Sequence, residues 1–153
     1  MKKFCLFAVV FCAVFSLSAE NLPIAGWRTN VMQGKFTFQC KEYPIQIKCT
    51  EATAGRAVKK VGVWGRIHRV ETLETGKKYE IKVTYKLINS PKGTVAVWMR
   101  GGGQFNLFGK ANANGRTLSR QFTATKDKVS IFINLLDDIG ELEITSVELN
   151  KLD

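Results

Sequence analysis

The sequence predicts an all-β fold, a two-sheet antiparallel β-sandwich of the jelly-roll type, and three observations predict it. Apolar and polar residues alternate with period two through one segment after another. Turn-forming clusters rich in Gly, Asn, Asp and Pro separate these segments at short intervals. Helical spacing of apolar residues is almost absent. Candidate strands cover 35–40, 45–50, 57–64, 66–70, 79–88, 94–100, 104–108, 117–124, 128–136 and 141–149. So many short strands in a chain of 153 residues imply two packed sheets or a barrel.

The N-terminus reads as a leader before any strand begins. Lys2 and Lys3 precede an apolar run from Phe4 to Leu17 and a small-residue exit at Ser18-Ala19, the pattern of a secretory signal peptide. The run is shorter than the roughly 20 residues a membrane span requires, and no second apolar stretch of that length follows. Residues 1–19 are therefore expected to be a signal peptide and 20–153 one exported domain, secreted or periplasmic. Cys5 and Cys12 would leave with the leader.

The first two strands carry the remaining cysteines. Cys40 shares parity with Phe36 and Phe38, Cys49 shares parity with Ile45 and Ile47, and Pro44 lies between them. A hairpin turning near Pro44 is expected, bridged by a Cys40–Cys49 disulfide in an oxidising compartment. A redox or metal pair lacks both CxxC spacing and a nearby histidine.

Parity separates an inner from an outer face along the following strands. In 57–64, Trp64 falls opposite Val61 and Val63. In 79–88, Tyr79, Ile81, Val83, Tyr85 and Leu87 point inward, with Glu80, Lys82, Thr84 and Lys86 outward. In 94–100, Val95, Val97 and Met99 form one face and Ala96, Trp98 and Arg100 the other. Gly101-Gly102-Gly103 ends that strand and lets a ligand or another backbone approach closely; it lacks the Lys-Ser/Thr and helix of a phosphate loop. In 128–136, Val129, Ile131, Ile133 and Leu135 line the core, leaving Ser130, Phe132 and Asn134 opposite.

Four segments taken in order carry a family resemblance: TGKKYEIKVTYKL, GTVAVWMR, GRTLSRQFTATKDKVSIFINL and GELEITSVEL. The glycine opening of the Lys-aromatic strand (Gly76 to Tyr79), the Leu-x-x-x-Phe-Thr strand (Leu118 to Thr123) and the glycine-initiated last strand (Gly140 to Leu149) resemble jelly-roll carbohydrate-binding modules. The group is the galactose-binding-domain-like one typified by families four, nine and twenty-two. Ile24-Ala25-Gly26-Trp27 is similar to the Gly-Trp that often opens such domains. The last strand has Thr145-Ser146 where that group often has an Asp-Asp or Asp-Asn pair, so ligand contacts are not carried over.

The residues themselves point to a sugar-binding surface made of Trp98, Trp64 and Phe132 with Arg100, Asn134 and Gln104. Pyranose C–H patches stack on aromatic faces, and their hydroxyls need planar donors and acceptors. Ordinary packing beneath loops is the competing explanation for each aromatic, and Trp27 reads as a core or edge plug. The formal charge of +10, of which Lys2 and Lys3 contribute two, suits an anionic glycan or an acidic cell surface. A solvated basic surface explains the charge equally well. The basic residues are scattered through strands of an exported chain, which argues against nucleic acid.

Catalysis finds little support. His68, the one histidine, has no flanking carboxylate or nucleophile and reads as structural. Glu141 and Glu143 share a strand face, faintly like the acidic strand of jelly-roll glycosidases, but those need a third carboxylate a few residues on, and here Thr145-Ser146-Val147 intervenes before Glu148. Asp137, Asp138 and Glu141 offer hard oxygen ligands for a structural calcium, as many modules of the resembled group carry, though a solvated acidic turn is the preferred reading and no cofactor is expected. The expected function is non-catalytic binding of carbohydrate; a protein-interaction or cell-surface module on the same scaffold is the alternative.

Overall fold

The chain crosses from one sheet to the other after most of its strands, which is how it comes to form two layers. The computed structural model describes residues 20–55 and 61–152. The expected leader, and 57–60 of one expected strand, lie outside these residues. The strands are β1 (Arg28–Gln33), β2 (Lys35–Gln39), β3 (Ile45–Glu51), β4 (Thr53–Ala54), β5 (Val61–Gly62), β6 (Trp64–Thr72), β7 (Lys78–Ile88), β8 (Thr94–Gly101), β9 (Phe105–Lys110), β10 (Arg116–Thr123), β11 (Lys128–Leu136) and β12 (Gly140–Lys151). One antiparallel sheet has the order β1-β6-β11-β8-β9 and the other β10-β7-β12-β3-β2, with β4 and β5 forming a small separate pair. The expected two-sheet antiparallel sandwich is the fold. Among the described residues no helix is long and apolar enough to cross a membrane.

The inner faces are those that parity assigned. Val95, Val97, Met99, Val129, Ile131, Ile133 and Leu135 from the first sheet meet Ile81, Val83, Tyr85, Leu87, Ile45, Ile47, Leu142 and Ile144 from the second, all essentially inaccessible to solvent. Burying each such aliphatic side chain is worth roughly 1.5–3 kcal/mol, so the inner faces drive the two layers together. Trp27 packs against this core with Arg69 5.3 Å over its ring, the plug expected of it.

Two strands depart from the sequence expectation. β1 was not foreseen, because Arg-Thr-Asn-Val-Met-Gln does not alternate cleanly; as an edge strand it buries one side only, and Val31 remains 44% exposed. The expected strands 57–64 and 66–70 are divided differently: Val61–Gly62 is the separate β5, and β6 begins at Trp64 and runs unbroken through Gly65, where a break was expected. A Cβ on Gly65 would lie 2.3 Å from the Phe36 ring. The glycine admits an aromatic ring into the layer and leaves the ladder unbroken.

The expected disulfide is not formed: Cys40 and Cys49 are both free. The hairpin exists, but its register sets Phe36 opposite Cys49 and Gln39 opposite Gln46. Cys40 is thus displaced along the hairpin from Cys49 by about four residues, roughly 13 Å at strand rise, whereas a bridge needs Cα atoms within about 7 Å. Shared inward parity was read correctly; the register defeats the bridge. Burial pushes both thiols up from their ordinary value.

The glycine run behaves as expected of a close approach. Gly101 and Gly103 have φ of 97° and 129°, and a Cβ on Gly101 would fall 2.4 Å from the Lys128 carbonyl oxygen. Backbone of the β11 entry occupies that space. In the acidic turn, the Asp138 carboxylate accepts from the backbone N–H groups of Lys92 (3.1 Å) and Ile139 (2.9 Å). Among the described residues no three Asp, Glu, His or Cys side chains gather as metal ligands.

Candidate functional site

The outer face of the sheet containing β6, β11 and β8 assembles residues far apart in the chain into lateral rows. Antiparallel partners share a face, so the register defines each row. One row contains Arg28, His68, Phe132, Trp98 and Asn106. The next contains Asn30, Arg66, Asn134, Ala96 and Phe108, and a third Trp64, Leu136, Thr94 and Lys110. Trp64, Trp98, Phe132 and Arg100 therefore lie on one surface, as expected. Gln104 is exposed one residue before β9 begins, at a position whose parity matches Asn106 and Phe108.

Asn134 occupies the centre of this face and differs from its sequence reading. It is fully buried. Its amide oxygen accepts from Trp64 Nε1 (3.1 Å) and its amide nitrogen donates to the Ala96 carbonyl (2.9 Å). Trp64 on β6 and Trp98 on β8 reach across the intervening β11 and meet above Asn134, ring centroids 5.7 Å apart at 72°. Two indoles in edge-to-face contact exclude water from the amide under them. Asn134 thus orients Trp64 from beneath.

Phe132 continues the aromatic surface. It stacks on His68, centroids 5.6 Å apart and planes 24° apart, while the Arg66 guanidinium lies 4.8 Å over its ring. Arg100 lies 5.7 Å over Trp98 and is anchored, its Nη1 donating to the carbonyls of Met99 (2.8 Å) and Phe105 (3.2 Å) and to Asn106 Oδ1 (2.8 Å). His68 sits in the middle of the aromatic row, a place its lone occurrence in the sequence did not signal. Burial pushes its pKa below the usual histidine value, and the positive charges of Arg66 and Arg28 push it further. Phe108, 58% exposed, was overlooked; its outward parity in β9 was the available signal.

Three polar atoms of this face are shielded from solvent and have no hydrogen-bond partner among the described residues: Trp98 Nε1, Arg66 Nε and His68 Nδ1. Buried polar groups are usually paired. The aromatic rings packed over this face shield these three atoms, as others are shielded at Trp27, Arg69 and Ser90.

The outer face of the opposite sheet has a different character. Its outward residues include Lys82, Glu80, Glu148, Thr84, Thr117, Lys86, Glu143, Gln46 and Lys48, with no aromatic among the described residues. They pair with one another: Ser119 donates to Glu80 (2.8 Å), Lys82 meets Glu80 (3.1 Å) and the Thr84 and Thr117 hydroxyls lie 2.9 Å apart. This is a polar face, several of whose side chains pair with one another.

No family model and no curated protein matches the chain. Solved structures do. The carbohydrate-binding module TmCBM61, in complex with beta-1,4-galactotriose, aligns with TM-score 0.60 at 10% identity, covering 84% of this chain and 90% of its own. The N-terminal cellulose-binding domain of Cellulomonas fimi β-1,4-glucanase C aligns with TM-score 0.57 at 16% identity, covering 84% and 90%. The enzymatically active domain of bacteriophage CBA120 tailspike protein 4 aligns with TM-score 0.62 at 10% identity over 85% of this chain, but this chain spans only 20% of that one. The protein therefore has the jelly-roll β-sandwich fold of carbohydrate-binding modules.

Proposed function

We propose that the protein binds carbohydrate without acting on it, through the outer face of the β1-β6-β11-β8-β9 sheet, and that its leader exports it as a single-domain module. One observation carries this reading: two ring pairs, Trp64–Trp98 and His68–Phe132, stand side by side in the register as a half-buried aromatic surface with cations laid over it, while the opposite outer face has no aromatic among the described residues. A core does not require this surface, because the inner faces already close the sandwich. Sugar rings stack on such faces through their C–H patches, and the exposed Asn106 and Gln104 supply polar partners at its border.

The fold of well-covered binding modules supports the non-catalytic reading. So does the chemistry of the face, whose outward rows contain no carboxylate to serve as acid, base or nucleophile.

Retention on polysaccharide affinity gels tests the proposal with wild type and Trp98→Ala. Loss of one stacking ring worth roughly 1–1.5 kcal/mol weakens binding about tenfold. Equal retention of the two proteins on every saccharide, with the variant folded, overturns the proposal.

A further inference from the structure

We propose that the saccharide is acidic and that Arg66, with Arg28 beside it, forms the subsite for its negative group, a carboxylate or a sulfate ester. This rests on the reading of the outer face as a saccharide-binding surface.

Charge on that face is one-sided. Its outward positions carry Arg28, Arg66, Arg100, Lys110 and Lys128, and among the described residues no Asp or Glu. Glu71, the one carboxylate in these five strands, has the opposite parity and is ion-paired with Arg69. On the opposite sheet several cations have a carboxylate at hand: Lys82 with Glu80, Lys48 with Glu141, Lys35 with Glu51. A guanidinium kept partly out of water without a counter-charge is costly, so its retention on an aromatic platform calls for an anion from outside.

The cations of the face are not equivalent. Arg100 is engaged by two backbone carbonyls and Asn106, and Lys110 donates to Thr94 Oγ1 (3.0 Å). Among the described residues Arg66 has neither an ion pair nor a hydrogen-bond partner for its shielded Nε. The Phe132 ring 4.8 Å beneath it holds the guanidinium against the platform, leaving its fork open to a planar carboxylate or a sulfate. In the register Arg66 lies between Asn30 and Asn134, and Arg28 lies beside it opposite His68. A sugar stacked on Trp98 and Phe132 would bring its acidic substituent to this corner. The combined field of Arg66 and Arg28 already acts on His68, lowering its pKa after burial has done so.

The test is binding to polygalacturonate, its fully methyl-esterified form, dextran sulfate, dextran and poly-glutamate, with wild type, Arg66→Gln, Arg66→Lys and Trp98→Ala checked for folding by far-UV circular dichroism. Wild type is expected to bind an acidic polysaccharide and to lose it on esterification or desulfation; whichever of the two acidic polymers binds identifies the group as carboxylate or sulfate. Arg66→Gln weakens that binding roughly ten- to a hundredfold, as for loss of hydrogen bonds to a charged group, and Arg66→Lys, with the charge but not the fork, recovers part of it. Neutral and acidic forms bound alike, with Arg66→Gln without effect and Trp98→Ala weakened, overturn the acidic subsite and leave saccharide binding standing. Retention on poly-glutamate equal to that on the acidic polysaccharide overturns the subsite as a sugar site. Binding to none of the saccharides overturns both.

Discussion

Asn134→Ala removes two hydrogen bonds at once, because the amide links Trp64 Nε1 at 3.1 Å with the Ala96 carbonyl at 2.9 Å from a fully buried position. Each bond contributes about 1 kcal/mol net, and the deleted amide leaves a small void under the two indoles, so the total cost is about 2–3 kcal/mol. For a domain of this size that is a fall in Tm of roughly 6–12 °C. Chemical denaturation measures the free energy directly, and a double-mutant cycle isolates the Trp64 bond. Trp64→Phe keeps a ring but deletes the N–H, so the coupling between the two substitutions should be about 1 kcal/mol. Asn134→Asp sharpens the argument: the carboxylate still accepts from Trp64 but cannot donate to Ala96, and it places a charge in a buried site. It should destabilise at least as much as Ala. A loss below about 0.5 kcal/mol for Asn134→Ala, or a coupling indistinguishable from zero, would refute the view that Asn134 positions the platform. The same substitution should weaken saccharide binding although Asn134 is itself inaccessible to ligand, since Trp64 would lose its orientation.

Two further outcomes follow from the packing and the charges. Gly109→Ala would set a Cβ 2.0 Å from the hydroxyl of fully buried Tyr85, which donates to the Lys110 carbonyl at 3.0 Å; overpacking of this kind costs about 1–3 kcal/mol, and a thermal melt unchanged from wild type would contradict it. His68 is the chain's one histidine, and its pKa is lowered by burial, Arg66 and Arg28, with no carboxylate facing it among the described residues. The unfolded chain therefore takes up the proton first. Stability present above the unfolded value of about 6.5 is lost as pH falls from there through the folded pKa; His68→Gln should flatten urea midpoints measured between about pH 5 and 7.5, and an unchanged slope would remove His68 from the desolvated row.

The inner faces were legible in the sequence because side-chain direction along a strand is a local property. Val95, Val97 and Met99, or Val129, Ile131 and Ile133, declare their common direction by alternation alone, and all are buried. The outward direction of Trp98, Phe132 and Trp64 was legible for the same reason. Where local patterning was weak, the reading was incomplete: β1 has no alternation, and Gly65 imitates a break.

What alternation could not supply is which outward residues stand side by side. Lateral neighbours depend on strand order and register, and these are set by contacts between segments many residues apart. Register placed Cys40 too far from Cys49 to bridge, although their parity agreed. Register also brought Trp64 and Trp98 together across β11, sank Asn134 beneath them, and set His68, Arg66 and Arg28 beside Phe132. Period two belongs to the single strand and so to the sequence; the aromatic and cationic face exists only once five strands have chosen their neighbours.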